Sequence, residues 1–357
     1  MTNALPRWLR PLALSVAVVA ALSGCTQVMS LDDLGEASPQ IPAKLLGEIA
    51  KKGMTTESPV LVRIFKQESE LEVWKQDKSG RYALLKVYPM CRWSGKLGPK
   101  TRTGDRQAPE GFYHVSTGML NPKSQFYLSF NLGYPNRLES ALGYTGEALM
   151  VHGACSSSGC YAVTDQGVGE IYALVQKALA GGQERFQVQA YPFRMTAENM
   201  AGHRDDANFP FWQNLKEGYD AFELAKRQPK VSACGRRYVF NATFEKDPTN
   251  PLAACPPRSE DSDPALTARL QAENQKLTSL LAKDRPSLVT AYADGGMHPT
   301  FRALLKENGA DKLAQKVSSI KYPISRPEAA MADPYAGKPW TPPAERKPEA
   351  ASAAKGD

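Results

Sequence analysis

The sequence predicts a mainly β fold with added α-helices and a disordered C-terminal tail. Runs rich in β-branched and aromatic residues between turn signals predict strands, as in VLVRIFKQ, LEVWKQ and RYALLKVY. In TDQGVGEIYALVQKALAGG, by contrast, apolar residues recur at helical spacing, with Thr164 or Asp165 as a cap and Gly181 and Gly182 as the end. The residues after 327 are rich in Pro, Ala, Lys and Glu, which is typical of disorder.

The first 25 residues are typical of a secretory signal peptide. Arg7 and Arg10 precede the apolar run LALSVAVVAAL, which is too short to span a bilayer. The run ends in LSGC, which resembles the lipobox of bacterial lipoproteins, so Cys25 is the predicted lipidation site. The alternative is an ordinary signal peptide in which Cys25 is incidental. Lipidation would tether a soluble body to a membrane, and the predicted location is periplasmic.

Changes in composition divide the chain into five segments. They are a signal peptide (1–25), a tether with a possible short helix around Pro42 to Lys51 (26–57), a strand-rich main domain (58–195), a helical subdomain (196–244), and a Pro/Ala-rich, largely disordered extension with one helix around Leu266 to Leu281 (245–357).

The charge and the cysteine count restrict the possible partners and bonds. The formal charge is +7, or about +5 without the two arginines of the leader (7 − 2). No basic stripe with interleaved aromatic residues is present in the sequence, so nucleic acid is not an expected partner. Five cysteines remain after Cys25, so at least one thiol stays unpaired, and Cys234 and Cys255 are expected to form a disulfide in an exported protein.

The stretch MVHGACSSSGCYAV, residues 150–163, predicts a thiol-based active site. Cys160 follows Gly159 and lies shortly before a predicted helix start, and an imidazole such as that of His152 could accept its proton. Backbone N–H groups at a glycine and at a helix N-terminus favour a developing oxyanion. A zinc site made of His152, Cys155 and Cys160 is disfavoured, because structural zinc needs four ligands at recognisable spacing.

The pattern HG-x-x-x-S-x-G-C at His152, Gly153, Ser157, Gly159 and Cys160 resembles the signature of the YkuD-type L,D-transpeptidases. Further motifs resemble the YafK-like murein enzyme branch of that family: PVLVRIFKQESELEVW, CRWSGKLGPKTRTGDRQAPEGFY, LMVHGACSSSGCYAVTDQGVGEIY and YPFRMTAENM. Together they span about residues 59–239. The resemblance implies a YkuD-type catalytic β-sandwich or barrel that needs no cofactor.

The resemblance also implies a reaction on peptidoglycan stem peptides. Cys160 would form a thioester with meso-diaminopimelate and His152 would be the general base, while the N–H groups of Gly159 and Cys160 would bind the oxyanion. Ser158 is grouped with these catalytic residues. The acyl group would pass to an amine, or to water in a hydrolase that releases murein-bound outer-membrane lipoprotein or cleaves cross-links. A wall-binding lipoprotein without catalytic activity is a third interpretation.

Further residues are candidates for binding the substrate. Gly153, Ser157, Tyr161 and Arg194 are the expected substrate-binding residues, with Tyr134 as a further candidate. A structural role is the alternative for Tyr134, Tyr161 and Arg194. Many YkuD-type enzymes have an arginine two residues after the nucleophile, where this chain has Ala162, as the YafK-like branch does. Because Cys91 and Cys155 both lie in the family motifs, they either form a disulfide or leave Cys155 as a free core thiol.

Overall fold

The computed structural model describes residues 39–260, 263–283 and 286–335. The predicted signal peptide, the lipidation site Cys25 and the tail from residue 336 lie outside these residues. Within the described ranges, no helix is long and apolar enough to cross a membrane.

The first five-stranded sheet has the strand order β3-β2-β1-β10-β5. Its strands are β1 (Val60–Phe65), β2 (Glu70–Gln76), β3 (Tyr82–Pro89), β5 (Gly111–Val115) and β10 (Phe186–Tyr191). Strands β1 and β10 are parallel, and the other pairs are antiparallel. All residues of β1 and β10 are buried, as expected for central strands covered on both faces.

The second five-stranded sheet has the order β4-β9-β8-β7-β6. Its strands are β4 (Arg92–Trp93), β6 (Leu120–Ser124), β7 (Tyr127–Asn131), β8 (Met150–His152) and β9 (Tyr161–Ala162). Strands β8 and β9 run parallel, which requires the chain between them to cross over. That crossover is the loop 153–160, which carries the predicted active site.

Helices and two small hairpins complete the described part of the chain. The hairpins pair β11 (Val231–Cys234) with β12 (Arg237–Phe240) and β13 (Ala242–Phe244) with β14 (Arg258–Glu260). The helices are α1 (Ala43–Lys51), α2 (Arg137–Ala141), α3 (Asp165–Ala180), α4 (Ala197–Gly202), α5 (Phe209–Ala225), α6 (Pro264–Leu281), α7 (Pro299–Val317) and α8 (Pro327–Met331). The predicted mainly β fold with added helices is therefore confirmed.

Helix α3 is the helix predicted from the 3.6-residue periodicity. Thr164 caps its N-terminus by accepting a hydrogen bond from the Gly167 amide at 3.0 Å, and the helix ends at the predicted glycine, Gly181. The apolar residues that define its predicted face are all buried: Val168, Ile171, Tyr172, Val175, Ala178 and Leu179. The helix packs against β1, β7 and β8, so it contacts strands of both sheets.

Two segment boundaries differ from the prediction. The short helix of the tether is present as α1, but its Leu45 and Ile49 are buried, so residues 39–57 belong to the folded body. Within its described residues, the extension from 245 holds three helices rather than one. The sequence signal is weak there because Gly309, at φ +77°, interrupts α7, and the apolar residues are divided between short elements.

The extension packs on the second sheet and on the loop between β8 and β9. A buried cluster joins the cysteines Cys91 and Cys155 and Ala162 to apolar residues of the extension, namely Met297, Phe301, Leu305, Leu313, Ala314, Val317, Ile324 and Ala330. Tyr292 also packs on Trp93 with ring centroids 5.0 Å apart. Residues 292–330 are therefore a structural support of the second sheet.

Both candidate disulfides are present. Cys91 is bonded to Cys155 and Cys234 to Cys255, which closes loops with sequence separations of 64 and 21. Cys160 is the free cysteine of the described residues. The bond at Cys155 lies directly in the loop between β8 and β9 and fixes it to the residue that precedes β4.

Removal of the Cys91–Cys155 bond by a double alanine substitution should lower the free energy of unfolding by about 4 kcal/mol, because a long loop is released in the unfolded state. Removal of Cys234–Cys255, the matched control, should cost about 3 kcal/mol because its loop is shorter. Urea denaturation without reductant measures both. A larger loss for the control would contradict the loop-length argument.

Candidate active site

The parallel pair β8–β9 places His152 at the end of β8 and Cys160 directly before β9, so both lie at neighbouring strands of the second sheet. Val151 is the register partner of Tyr161, and His152 that of Ala162. Met150 and His152 are two residues apart in β8 and share a face, and Cys160 is the residue that leads into β9. The Cys160 sulfur lies 3.4 Å from the Met150 amide, which confirms that it is placed against β8.

The Cys160 thiol is half-buried at the edge of the strand pair. Its sulfur accepts a hydrogen bond from the Met150 N–H and lies 3.8 Å from the carbonyl oxygen of Ala148. Burial raises the pKa of the thiol above its ordinary value, and the Met150 N–H and the charge of Lys100 oppose this only in part. The sulfur is therefore protonated at neutral pH and needs a base to become a nucleophile.

The His152 imidazole has the properties of that base. Its Nδ1 is 2.5 Å from the carbonyl oxygen of Gly153, so Nδ1 carries the proton in the neutral ring and Nε2 is left as the acceptor. Burial lowers the pKa of His152 to about 4, against the opposing effects of Gly153 and Asp165. The ring of Phe126 covers the imidazole, with centroids 4.7 Å apart. The imidazole is therefore neutral at pH 7.

Asp165, the first residue of α3, fixes the start of the loop. Its Oδ1 accepts a hydrogen bond from the Ala154 amide at 2.9 Å. Gly153 has to be glycine, because an added Cβ would lie 2.6 Å from that same oxygen. The predicted substrate-binding role of Gly153 therefore coincides with a packing requirement.

Serines and glycine fix the end of the loop. The Ser157 hydroxyl donates to the Cys160 carbonyl at 2.8 Å and lies 2.9 Å from the Ser94 hydroxyl oxygen. Gly159 has φ +125° and donates its N–H to Ser94 Oγ at 2.6 Å. The Gly159 amide, predicted to bind the oxyanion, is therefore occupied in this structure. Ser94, which the sequence analysis did not single out, is its partner.

Arg106 connects the same loop to the C-terminal extension. Its guanidinium donates to Ser158 Oγ at 3.0 Å and to the Ser157 carbonyl at 2.9 Å, and it forms an ion pair with the buried Asp294 at 2.7 Å. Asp294 also lies 3.5 Å from Arg92. Ser158, predicted to be catalytic, is exposed and held by Arg106.

A second part of the extension holds both ends of the loop, and we call residues 318–326 the C-terminal clamp. Asp165 Oδ2 accepts hydrogen bonds from the Ser319 N–H at 2.6 Å and from the hydroxyls of Ser318 and Ser319 at 3.0 and 2.7 Å. The Ser325 hydroxyl accepts from the Ser157 N–H at 2.8 Å and donates to the Ser157 carbonyl at 3.0 Å. The loop thus has a defined conformation before any substrate arrives.

Two predicted substrate-binding residues are engaged elsewhere. Tyr161 is fully buried and its hydroxyl donates to the Pro109 carbonyl. Arg194 forms ion pairs with Glu70 and Glu72 of β2. Because the Tyr161 hydroxyl and the Arg194 guanidinium have these internal partners, the structure does not bring either group to the Cys160 loop.

The zinc alternative loses a ligand, because Cys155 is bonded to Cys91. In the ranges that the structure describes, no group of three or more His, Cys, Asp or Glu residues could hold a metal ion.

Comparison with known proteins gives a relative of high similarity. The chain is 45% identical over 197 residues to the protein named "Putative L,D-transpeptidase YafK" of Escherichia coli (strain K12), and the aligned part covers 55% of this chain and 80% of that protein. The protein of the same name in Escherichia coli O157:H7 gives the same values. No family model matches the chain.

Comparison with solved structures gives more distant similarity. The helical cell shape determining protein Pgp2 from Campylobacter jejuni is 16% identical, with a TM-score of 0.30, over 53% of this chain and 79% of that one. Bd1075 of Bdellovibrio bacteriovorus is 15% identical, with a TM-score of 0.29, over 49% of this chain and 76% of that one.

The rate at which iodoacetamide labels Cys160 should rise with a midpoint above that of a free cysteine, because burial raises the pKa of the thiol above its ordinary value. Catalytic activity should stay constant as the pH falls from 7 and should decrease only near pH 4. At that pH His152 becomes protonated and can no longer act as a base. Mass spectrometry of the peptide that contains Cys160 measures the labelling. A labelling midpoint below pH 7 would show a resting thiolate–imidazolium pair and contradict this assignment.

Arg106→Gln should lower kcat by about 30-fold, because two hydrogen bonds worth about 1 kcal/mol each no longer hold the loop. The matched control is Arg102→Gln, an exposed arginine of the same segment, which should keep normal turnover. Steady-state kinetics on a stem-peptide substrate, with a thermal unfolding curve for each variant, measures the effect. Equal kcat values for the two variants would exclude a positioning role of Arg106.

Proposed function

Because the chain belongs to the L,D-transpeptidase family of YafK, we propose that it transfers acyl groups of peptidoglycan stem peptides through a thioester on Cys160. The observation that supports this proposal is that His152 ends β8, while Cys160 directly precedes the parallel strand β9 and its sulfur accepts a hydrogen bond from the Met150 N–H of β8. The loop between them is fixed at both ends by hydrogen bonds. Such preorganisation is what nucleophilic catalysis by a cysteine requires.

The first half of the proposed reaction forms the thioester. The Cys160 sulfur attacks the carbonyl carbon at the L-centre of meso-diaminopimelate as its proton moves to His152 Nε2. The C–N bond of the tetrahedral intermediate then breaks, and His152 returns the proton to the leaving amine. Because both groups are neutral at rest, proton transfer and attack occur together, and no charge pair has to be maintained in the buried site.

The second half regenerates the thiol. An amine or a water molecule attacks the thioester and gives its proton to His152, the C–S bond breaks, and the sulfur takes the proton back. Transfer to an amine makes a cross-link or a lipoprotein attachment. Transfer to water releases lipoprotein or opens a cross-link.

The oxyanion is assigned to the Cys160 amide. The Gly159 amide is engaged by Ser94 Oγ at 2.6 Å and would join only if Ser94 gave up that hydrogen bond. Ser157, Ser158 and Arg106 then act as positioning residues for the segment that carries this donor.

The family relationship supports a location in the cell envelope. We propose that residues 1–25 are an export signal and that lipidated Cys25 anchors the protein to a membrane, with peptidoglycan as the substrate. The two disulfides support an oxidising compartment, where such bonds form and persist.

Cys160→Ala should abolish product formation from muropeptides, and His152→Ala should lower turnover at least about 100-fold. The control is His114→Ala on β5, which should keep normal turnover. Liquid chromatography with mass spectrometry identifies the products. A 3→3 linked dimer indicates transfer to an amine, and a shortened or lipoprotein-free stem indicates hydrolysis. Wild-type protein that leaves every substrate unchanged would favour a wall-binding lipoprotein without catalytic activity.

A further inference from the structure

A cleft of about 430 Å³ opens beside the nucleophile. Two of its lining residues, Ala148 and Met150, contact the Cys160 sulfur through their backbone, at 3.8 and 3.4 Å. Another, Asn131, is the register partner of Met150 on the neighbouring strand β7. A group bound in this cleft is therefore adjacent to the carbonyl carbon that Cys160 attacks.

The polar groups of the cleft are of two kinds. Glu147, an exposed carboxylate, is the charged residue of the lining, which includes no lysine, arginine or histidine. Asn121 and Asn131 are the two carboxamides. The cleft thus offers one strong acceptor for a cation and two neutral groups that can donate.

The orientation of both carboxamides is set by local hydrogen bonds. Asn121 Oδ1 accepts from the Lys123 N–H at 3.0 Å, and Asn131 Oδ1 accepts from the Gly133 N–H at 2.8 Å. Because each oxygen is used by the backbone, each side chain keeps its Nδ2 hydrogens for a ligand. These hydrogens suit a carboxylate, while Glu147 suits an ammonium.

The walls between these polar groups are apolar. Met119 and Tyr134 line the same cleft, and an added Cβ at Gly133 would lie 2.8 Å from Met119 Cε, so Gly133 keeps this wall closely packed. The Tyr134 hydroxyl donates to the Lys100 carbonyl at 3.1 Å, which holds the ring in place. An aliphatic chain fits between such walls.

We propose that this cleft is a specificity site for a free amino-acid head group. Glu147 binds its ammonium, and Asn121 and Asn131 bind its carboxylate. Resting on the proposed function, this head group is the D-centre of meso-diaminopimelate, whose methylene chain leads from the attacked carbonyl to an α-ammonium and a carboxylate. A D-centre amine that is already acylated in a cross-link has no charge. Glu147 therefore selects stem peptides that are not cross-linked at that amine.

The test compares two synthetic stem tetrapeptides that differ only at the D-centre amine, one free and one acetylated. Glu147→Gln should raise KM about tenfold for the free amine and leave KM for the acetylated peptide unchanged, with kcat and the iodoacetamide labelling rate of Cys160 as in the wild type. Glu184→Gln, an exposed carboxylate between α3 and β10, is the matched control and should change neither KM.

Asn131→Asp tests the other half of the site with an isosteric change. The new carboxylate should repel the D-centre carboxylate, so KM rises about tenfold for the free acid and stays unchanged for a peptide whose D-centre is amidated. Unchanged KM values in both variants, or equal changes for both peptides of a pair, would overturn the specificity site. Turnover that survives Cys160→Ala would instead overturn the proposed function, so the two failures are distinguishable.

Discussion

The Asp165 carboxylate is the point on which the conformation of the catalytic loop depends. One of its oxygens accepts a hydrogen bond from the Ala154 N–H at the start of the loop. The other accepts three hydrogen bonds from Ser318 and Ser319. The residue is buried and lies in the first turn of α3, where the helix dipole stabilises a negative charge. A single side chain thus joins the loop, the central helix and the C-terminal clamp, and it adds a negative charge close to His152.

The electrostatics of Cys160 and His152 favour two neutral groups. Burial raises the pKa of the thiol and lowers the pKa of the imidazole, so both are neutral at pH 7. A protonated sulfur reacts slowly with disulfides and oxidants. This matters for Cys160, since the Cys91–Cys155 disulfide includes a residue of the same short loop. The two cysteines of the loop therefore differ in chemical state. Cys155 is oxidised in a disulfide, and Cys160 is a free thiol.

Local patterns predict much of the fold and the centre of the site. The strands around Val62 and Val188, the helix α3, and the prediction of His152 and Cys160 as residues of one site all follow from periodicity or from one motif. The residues that support the site do not, because their contacts are distant in sequence. Ser157 and Ser325 are 168 positions apart, and Arg106 and Asp294 are 188 apart. Arginine suits a carboxylate equally well inside a protein and in a substrate, which is why Arg194 was an expected ligand and proved to be an internal ion pair.

The late position of the C-terminal clamp in the chain has a consequence for biosynthesis. Translation reaches Cys160 well before it reaches Ser319 and Ser325, so the growing polypeptide holds its nucleophile for a time without these hydrogen-bonding partners. The loop gains its final hydrogen bonds only when the ribosome has added more than 150 further residues, since Asp165 and Ser319 are 154 positions apart. A product cut short by premature termination or proteolysis before residue 318 would retain the thiol and the imidazole but lack the scaffold that aligns them. The hydrogen bonds that fix the loop can therefore form only after the C-terminal clamp has been synthesised.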